Sequence, residues 1–252
     1  MSPGGVALEI FSVRLTPTEV EQYQQLWEEV DEQSLPVEVR RRLARNGFRV
    51  GVLAGQIPTK LAHLLELRDK PVGDITQSLT PKELADPPRT TLRHLQTRAG
   101  ELNEITTSGV YDQMPVLLTD SGELGGHTYN QAQGVFGLKV NPQPDGRVQL
   151  DLTPEVQHDQ VRQRLVGDQA MFRYVNVRPK RSFDDLRITP VLSAGAILIL
   201  GCQIDRVGSL GHYFFHELAG GEEKLQTKLV LIRVGQTQND DLVSPPPLPL
   251  SQ

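Results

Sequence analysis

Residues 133–156, QGVFGLKVNPQPDGRVQLDLTPEV, constrain the fold of this chain more than any other stretch. Apolar and polar residues alternate in both halves, and a Pro-rich turn containing Asp145-Gly146 separates the halves. Such alternation is typical of β-strands, and an Asp-Gly pair between two alternating runs is typical of a hairpin turn. We therefore predict a β-hairpin with one buried face and one wet face. Its buried face is predicted to contain Phe136, Leu138, Val140, Val148, Leu150 and Leu152.

The first 68 residues predict a small α/β module. Residues 6–15 alternate and indicate a strand. Thr16-Pro17, followed by Glu19, is typical of a helix start, with a capping threonine and a proline in the first turn. A second helix is predicted from Pro36 to a stop at Asn46-Gly47. A strand over residues 48–55 and a short helix over 58–67 complete a β-α-α-β-α sandwich of helices on a sheet.

The rest of the chain divides by composition. Residues 69–105 are rich in Pro, Thr and charge, which predicts a connector with one helical turn after Thr80-Pro81. Residues 106–240 predict a mainly antiparallel β domain, and the Pro-rich residues 241–252 a disordered tail. Within the β domain, Pro115 indicates an edge strand or a bulge, and residues 121–131 a Gly-rich turn. Two continuous apolar runs, 196–200 and 229–232, predict strands covered on both faces. The fold class is therefore α+β.

Charge and cysteine content exclude several classes of function. A net charge of -5 argues against a nucleic-acid partner. The local cluster Arg40-Arg41-Arg42 with Arg45 lies among acidic residues, which favours a solvated helix face over a partner-binding patch. The single cysteine, Cys202, lies in an apolar run and is expected to be a buried, inert thiol. No apolar stretch is long enough for a transmembrane helix, and no signal peptide is visible. As written the chain is expected to be cytoplasmic, although its abrupt first strand would also fit a fragment or a misplaced start.

The segment GHYFFHE is the sharpest candidate for chemistry. On a helix, His212 and His216 would lie four residues apart on one face, where two imidazoles can chelate zinc. A third ligand would have to come from elsewhere, for example Asp205 or His127, and Tyr213 stands where a metalloprotease has its glutamate. The pattern therefore favours an ordinary loop between two strands, with the histidine pair a weak metal candidate. Since no phosphate-binding or nucleophile motif occurs, we predict no catalytic residues, no cofactor and no enzymatic activity.

The order of strands in the C-terminal half resembles the secretin family, the β-rich gate domain of bacterial type II and type III secretion channels. The matching features of the hairpin are the strand that begins at Gly137 and ends at Asn141-Pro142, then Asp145-Gly146, then Pro154-Glu155-Val156. Farther on, SAGAILILGCQ, GSLGHYFF and KLVLIRV are similar to later secretin segments. The likeness covers roughly residues 110–236, and the helices within residues 16–67 differ from the usual secretin ring-building modules.

The resemblance implies a structural subunit of a cell-envelope assembly involved in protein secretion. Its partners would be copies of itself or other envelope proteins, and it would meet the membrane only through assembly. In this interpretation a set of glycine, proline and aspartate residues sets the turns: Gly137, Pro142, Asp145, Gly146, Pro154, Gly195, Gly201 and Gly211. The alternatives left open are a soluble or periplasmic α+β protein-binding module without channel activity and, as a weaker hypothesis, a zinc-dependent hydrolase using the two histidines. Localisation depends on whether the start is truncated.

Overall fold

The computed structural model describes residues 5–54, 61–62, 89–120, 122–160, 162–168, 171–218 and 225–237. Within these residues the protein is α+β, with two antiparallel sheets, three helices and a separate two-stranded ribbon. No helix among them is long and apolar enough to cross a lipid bilayer. The predicted helix over residues 58–67 and the predicted tail over 241–252 lie almost wholly or wholly outside the described residues.

The first sheet combines strands from the two ends of the chain. In chain order its strands are β1 (Gly5–Leu15), β2 (Phe48–Leu53), β3 (Thr90–Arg98), β12 (Ile197–Cys202), β13 (His216–Leu218) and β14 (Leu225–Thr237). Their order across the sheet is β2-β12-β14-β1-β3, and β13 pairs with β14. β12 and β14 lie between β2 and β1 in this sheet. The two strands of the predicted N-terminal module are therefore separated by strands that come from beyond the predicted boundary near residue 68.

The second sheet is built around the predicted hairpin. Its strands are β4 (Asn103–Thr106), β5 (Tyr111–Asp120), β6 (Glu123–Pro142), β7 (Val148–Gln157), β10 (Lys180–Ser182) and β11 (Val191–Leu192). β6 pairs with β7, with β4 and with β5, while β10 and β11 pair with β7. Two further strands, β8 (Arg162–Asp168) and β9 (Met171–Val177), pair with each other.

The predicted hairpin is confirmed, and the structure adds its register. Leu138 lies opposite Leu152, and Val140 lies opposite Leu150. The six residues predicted on its apolar face are all fully buried. On the other face Lys139 is exposed, and the carboxylates of Asp151 and Glu155 accept hydrogen bonds from Arg187 and Lys180. The hairpin therefore contributes its apolar face to the protein's own core.

The second predicted helix begins and ends where the sequence predicts, and the first begins after a short 3-10 turn. After Pro17–Glu19 forms a short 3-10 turn, α1 runs over Val20–Glu28. The Glu19 carboxylate accepts a 2.9 Å hydrogen bond from the Thr16 amide, which is half of a capping box. Helix α2 covers Val37–Arg45 and ends at Asn46, followed by Gly47 at a φ of +79°. That positive φ is the conformation that favours glycine after a helix.

Apolar side chains cover both faces of the first sheet. On one face Ile197 and Ile199 of β12 pack with Tyr23, Leu26 and Trp27 of α1. On the other face Leu198 and Leu200 join the core shared with the second sheet. Side chains of β14 alternate in the same way, with Leu229 and Leu231 beside α1 and Val230 and Ile232 in the shared core. The prediction that residues 196–200 and 229–232 are covered on both faces is therefore confirmed. Continuous apolar runs are needed here because alternate side chains enter two different cores.

Four phenylalanine rings join the two sheets at the centre of the shared core. Phe48 of β2 packs edge-to-face against Phe136 of β6, with ring centroids 6.0 Å apart. Phe214 packs against both rings at 5.3 Å, and Phe215 completes the cluster. Phe214 and Phe215 belong to α3 (Leu210–Phe215), which the Ser209 side chain caps by accepting a hydrogen bond from the His212 amide.

The structure corrects three sequence predictions. Residues 121–131 were expected to form a Gly-rich turn, but β6 begins at Glu123, directly after Gly122 at a φ of +92°. Part of the predicted connector forms β3 and β4, because β1 and β6 supply edges with which these strands pair. GHYFFHE was expected to be a loop, but its first residues form α3, since the Ser209 cap and the buried phenylalanines stabilise a helical turn.

Candidate assembly surface

β6 passes through two different environments along its 20 residues. From Ala132 to Val140 almost every side chain is buried between β4, β7 and the first sheet. From Glu123 to Asn130 every residue is exposed except Tyr129, and β5 is the only strand of the described residues that pairs with this half. We call β5 together with residues 123–130 of β6 the arm.

The outward face of the arm carries no charge. Cross-strand pairs place Leu117 opposite Gly126 and Pro115 opposite Thr128 on this face. Leu124 is 70% exposed and Leu117 47% exposed. The exposed residues that form the outward face are Gln113, Pro115, Leu117, Leu124, Gly126, Thr128 and Asn130. Exposed strands normally carry charged residues that discourage pairing with other chains, and this face lacks them.

The inward face fixes the arm to the body of the protein. Met114, Val116 and Tyr129 are buried in the shared core. Pro115 lies in β5 at the outer side of the arm, where the prediction of an edge strand is confirmed.

The outer edge of β5 is covered by other parts of the chain. The Leu117 amide donates a 2.8 Å hydrogen bond to the Gly208 carbonyl. The Asn46 side chain accepts a 2.9 Å hydrogen bond from the Thr119 amide and donates one of 3.0 Å to the Thr119 carbonyl. Asn46 is 2% exposed and also donates to the Arg42 carbonyl, so it ties the end of α2 to the arm. These contacts leave β5 protected.

The opposite edge of the arm is open. Among the described residues, no strand pairs with residues 123–129 of β6 on the side away from β5, since pairing with β7 begins only at Gln133. The neighbouring ribbon of β8 and β9 is likewise a separate two-stranded sheet within the part of the chain that the structure describes. Two-stranded ribbons are marginally stable by themselves in water. The arm edge and the ribbon together therefore offer strand edges that another chain could extend.

The other long edge strand is built differently. β3 is exposed along most of its length, but Arg93, His94 and Arg98 lie on it. Its exposed leucine, Leu92, is 48% exposed, close to the value for Leu117. Charged side chains on an edge strand oppose pairing with a second sheet. The uncharged outward face thus distinguishes the arm from β3.

The predicted turn residues divide into two groups. Gly146 and Gly195 each have a φ of +83°, and Asp145 accepts a hydrogen bond from the Arg147 amide within the hairpin turn. Pro142 ends β6, whereas Pro154 lies within β7 opposite Phe136, so the structure corrects the prediction that Pro154 sets a turn.

The remaining three predicted turn glycines lie in regular structure, and close packing requires glycine at two of them, Gly201 and Gly211. A Cβ atom on Gly201 in β12 would lie 2.7 Å from the Tyr23 hydroxyl, and one on Gly211 in α3 would lie 2.2 Å from the Gly47 carbonyl oxygen. Gly137 lies within β6, where a Cβ atom would lie 3.3 Å from a Glu155 carboxylate oxygen. These glycines were expected at turns, and the structure corrects that interpretation.

His212 and His216 lie close together, but not on one helical face. α3 ends at Phe215, so His216 has extended backbone, and the two ring centroids are 4.3 Å apart. His216 Nδ1 lies 3.0 Å from the His212 carbonyl oxygen and 3.7 Å from Cys202 Sγ. Among the described residues, no group of three or more His, Cys, Asp or Glu side chains is arranged to hold a metal ion. A metal site at this pair stays a hypothesis.

Burial determines the protonation of these groups. Burial, with His216 adjacent, lowers the pKa of His212 to about 4, and burial also lowers the pKa of His216. Burial raises the pKa of the Cys202 thiol to about 12. Both imidazoles are therefore neutral and the thiol protonated near pH 7. The buried thiol predicted from the sequence is confirmed.

Comparisons with known proteins do not assign this chain to a family. No protein-family model matches this chain, and no curated protein matches it. One solved structure that matches is the secretin-domain β-barrel of InvG from the Salmonella SPI-1 injectisome base, at 11% sequence identity and a TM-score of 0.27. That match covers 98% of this chain and 66% of the InvG chain, so this chain spans slightly less than two thirds of it. At this TM-score the likeness carries no argument about fold or function.

Proposed function

We propose that this protein is a structural subunit that works by assembling with copies of itself, as a secretin-like component of a cell envelope involved in protein secretion. The observation that carries the proposal is the uncharged, exposed outward face of the arm next to the open edge of β6. The family resemblance in residues 137–156 supports the finer, secretin-like part of the proposal.

The energetics of strand edges favour assembly. An unpaired strand edge exposes amide and carbonyl groups that a second strand can satisfy. Fully burying an exposed leucine contributes roughly 1.5–3 kcal/mol, so burying Leu124 in an interface would add most of that and burying the half-exposed Leu117 about half. When identical subunits pair edge to edge in a closed ring, no edge remains exposed. The arm and the β8–β9 ribbon would supply these contacts, while the first sheet and α1 would remain as the folded body.

In this proposal the protein does no bond-making chemistry. The buried hairpin and the phenylalanine cluster hold the base of the arm in a fixed orientation, and Asn46 holds its outer edge. Export to the envelope belongs to the proposal, because assembly at the outer membrane requires it.

The test is the mass of the native particle, with two leucine variants as a matched pair. Wild-type protein is examined by size-exclusion chromatography with light scattering, and by gel electrophoresis in detergent without heating. We expect large, detergent-resistant multimers. Leu124→Lys puts a charge on the neutral face and should reduce the particle to one chain. Leu92→Lys makes the same change on the charged edge of β3 and should leave the multimer intact.

Two results would contradict the proposal. The first is a wild-type protein that has the mass of one chain up to high concentration, which would favour the alternative of a protein-binding module. The second is a multimer that Leu124→Lys and Leu92→Lys weaken equally, since general charge repulsion would then explain both. Thermal unfolding of each variant checks that neither change disrupts the fold.

A further inference from the structure

A cleft of about 400 Å³ lies where the end of α2 meets the tip of the arm and the segment that follows β10. Arg42, Arg45 and Arg181 line this cleft. Leu118 and Phe183 add apolar surface to the lining, and Asp184 and Asp185 form part of it. None of the seven residues that form the outward face of the arm lines this cleft.

Two of the three arginines are available for a ligand. Arg42 and Arg45 lie three residues apart, so their side chains lie on neighbouring positions of one face of α2. Both are exposed, and no carboxylate of the described residues forms an ion pair with either. Positive charges in the last turn of a helix also interact favourably with the helix dipole, and both arginines lie in the last turn of α2. That stabilising role does not explain why they line a cleft.

The third arginine is held in position. Arg181 donates a 3.0 Å hydrogen bond to the Tyr129 hydroxyl and lies over the Phe183 ring, 5.4 Å from its centroid. The opposite wall is also fixed, since Asn46 bonds both the Arg42 carbonyl and the Thr119 backbone. A preorganised guanidinium loses less conformational entropy when it binds a carboxylate than a free one does.

The charges in the cleft limit what it can bind. Asp184 and Asp185 oppose a continuous polyanion, and the chain as a whole carries a net charge of -5. Nucleic acid would meet repulsion from both. Separated carboxylates, each opposite one guanidinium and flanked by apolar groups, complement this lining.

We propose that this cleft is a docking site for an acidic segment of a partner polypeptide, whose carboxylates pair with Arg42, Arg45 and Arg181. Apolar side chains of that segment pack against Leu118 and Phe183. The site adds a second protein-binding function to the molecule and does not depend on self-assembly.

The experiment selects binders from a library of random dodecapeptides displayed on phage, using the full chain as bait. Selected sequences are expected to be enriched in Asp and Glu. Synthetic peptides of those sequences, labelled for fluorescence anisotropy, are then titrated with wild type, Arg42→Gln/Arg45→Gln and Arg41→Gln. We expect the double variant to bind at least about tenfold more weakly, since each lost pair removes a charge-assisted hydrogen bond. Arg41→Gln is the control, because Arg41 is exposed on the same helix but does not line this cleft.

Three results would overturn the proposal. One is a selection without acidic enrichment, and another is an equal loss of affinity in the double variant and in Arg41→Gln. The third is a single-stranded oligonucleotide of equal charge that binds more tightly than the selected peptides. Circular dichroism of each variant verifies that α2 remains folded, and an Arg181→Gln variant provides an independent test on the other wall of the cleft.

Discussion

The two halves of β6 have the same backbone geometry and opposite surroundings. From Ala132 onward the strand has partners on both edges and a sheet against its apolar face, while residues 123–129 have one strand partner among the described residues and an exposed outer face. Both halves contain glycine and apolar residues, so the composition of the strand does not explain this difference. The difference comes from the other segments that the fold places beside each half. One half builds the core, and the other is an unused strand surface.

The glycines of β6 show the same contrast. A Cβ atom on Gly134 would lie 2.7 Å from the Phe214 ring, whereas one on Gly126 would meet only the Leu117 side chain, at 4.0 Å. The core half therefore requires glycine for packing, and the arm does not. A residue type that looks equivalent in the sequence has different physical roles in the two halves.

The largest expected effect is at the core half. Phe136→Ala removes a fully buried ring that contacts Phe48 and Phe214, which should lower the free energy of unfolding by about 3–5 kcal/mol. Leu124→Ala, in the arm, should change it by less than about 0.5 kcal/mol in the monomer. Urea unfolding of dilute protein measures both. Similar losses in the two variants would show that the arm is packed as tightly as the core.

The two glycines give the next test. Gly134→Ala should destabilise the protein by about 1–3 kcal/mol, because the new methyl group overlaps the Phe214 ring. Gly126→Ala should be neutral or slightly stabilising, since open space surrounds it. Thermal unfolding compares them directly. If Gly126→Ala were the more damaging of the two, the assignment of close packing to the core half would be wrong.

Asn46 links the arm to the body, and its loss should act on the arm first. Asn46→Ala leaves the amide and carbonyl of Thr119 without their partner, at a cost of about 1–3 kcal/mol. Asn46→Asp keeps the acceptor for the Thr119 amide and should recover part of this loss. Hydrogen exchange of the Thr119 amide should accelerate in Asn46→Ala, while exchange in residues 135–140 remains slow. Uniform acceleration across both regions would contradict the local role.

A smaller effect concerns acid pH. The folded pKa of His212 lies near 4, below its ordinary value of 6.5, so the neutral ring stabilises the fold above pH 6.5. That contribution is lost as the pH falls from 6.5 to about 4, and the lowered pKa of His216 acts in the same direction. His212→Phe should flatten this part of the stability profile, as measured by urea unfolding at pH 7 and 4.5. A profile identical to that of wild type would exclude the histidine as the source.

Local signals in the sequence predicted the parts of the fold that local interactions determine. The hairpin at residues 133–156 is confirmed, and of the capping box predicted at Thr16 only the bond from the Thr16 amide to the Glu19 carboxylate forms. Both signals depend on neighbours within a few residues. The start of β6 was missed because Gly125 and Gly126 are typical of a turn, and only pairing with β5 makes them a strand. β3 was missed for a related reason, since β1 supplies the edge with which it pairs.

The candidate surfaces were harder to predict than the fold. The arm becomes visible only when cross-strand pairs show that its outward residues lack charge. The arginine cluster of α2 was noticed in the sequence, but Arg181 lies 136 positions beyond Arg45 and joins it only in the folded protein. Asn46 carried a helix-end signal and gave no sign that its side chain binds β5.

Hydrogen exchange measured by mass spectrometry, on the wild-type protein and on the single-chain Leu124→Lys variant, tests the central claim most directly. Peptides covering residues 111–130 report on the arm, and peptides covering residues 133–157 report on the core half of β6 together with β7. We predict that the arm is much better protected in the wild type, where strands of neighbouring subunits pair with it, while the second region is protected equally in both proteins. An arm whose exchange is the same in both proteins would contradict the claim that this surface joins subunits.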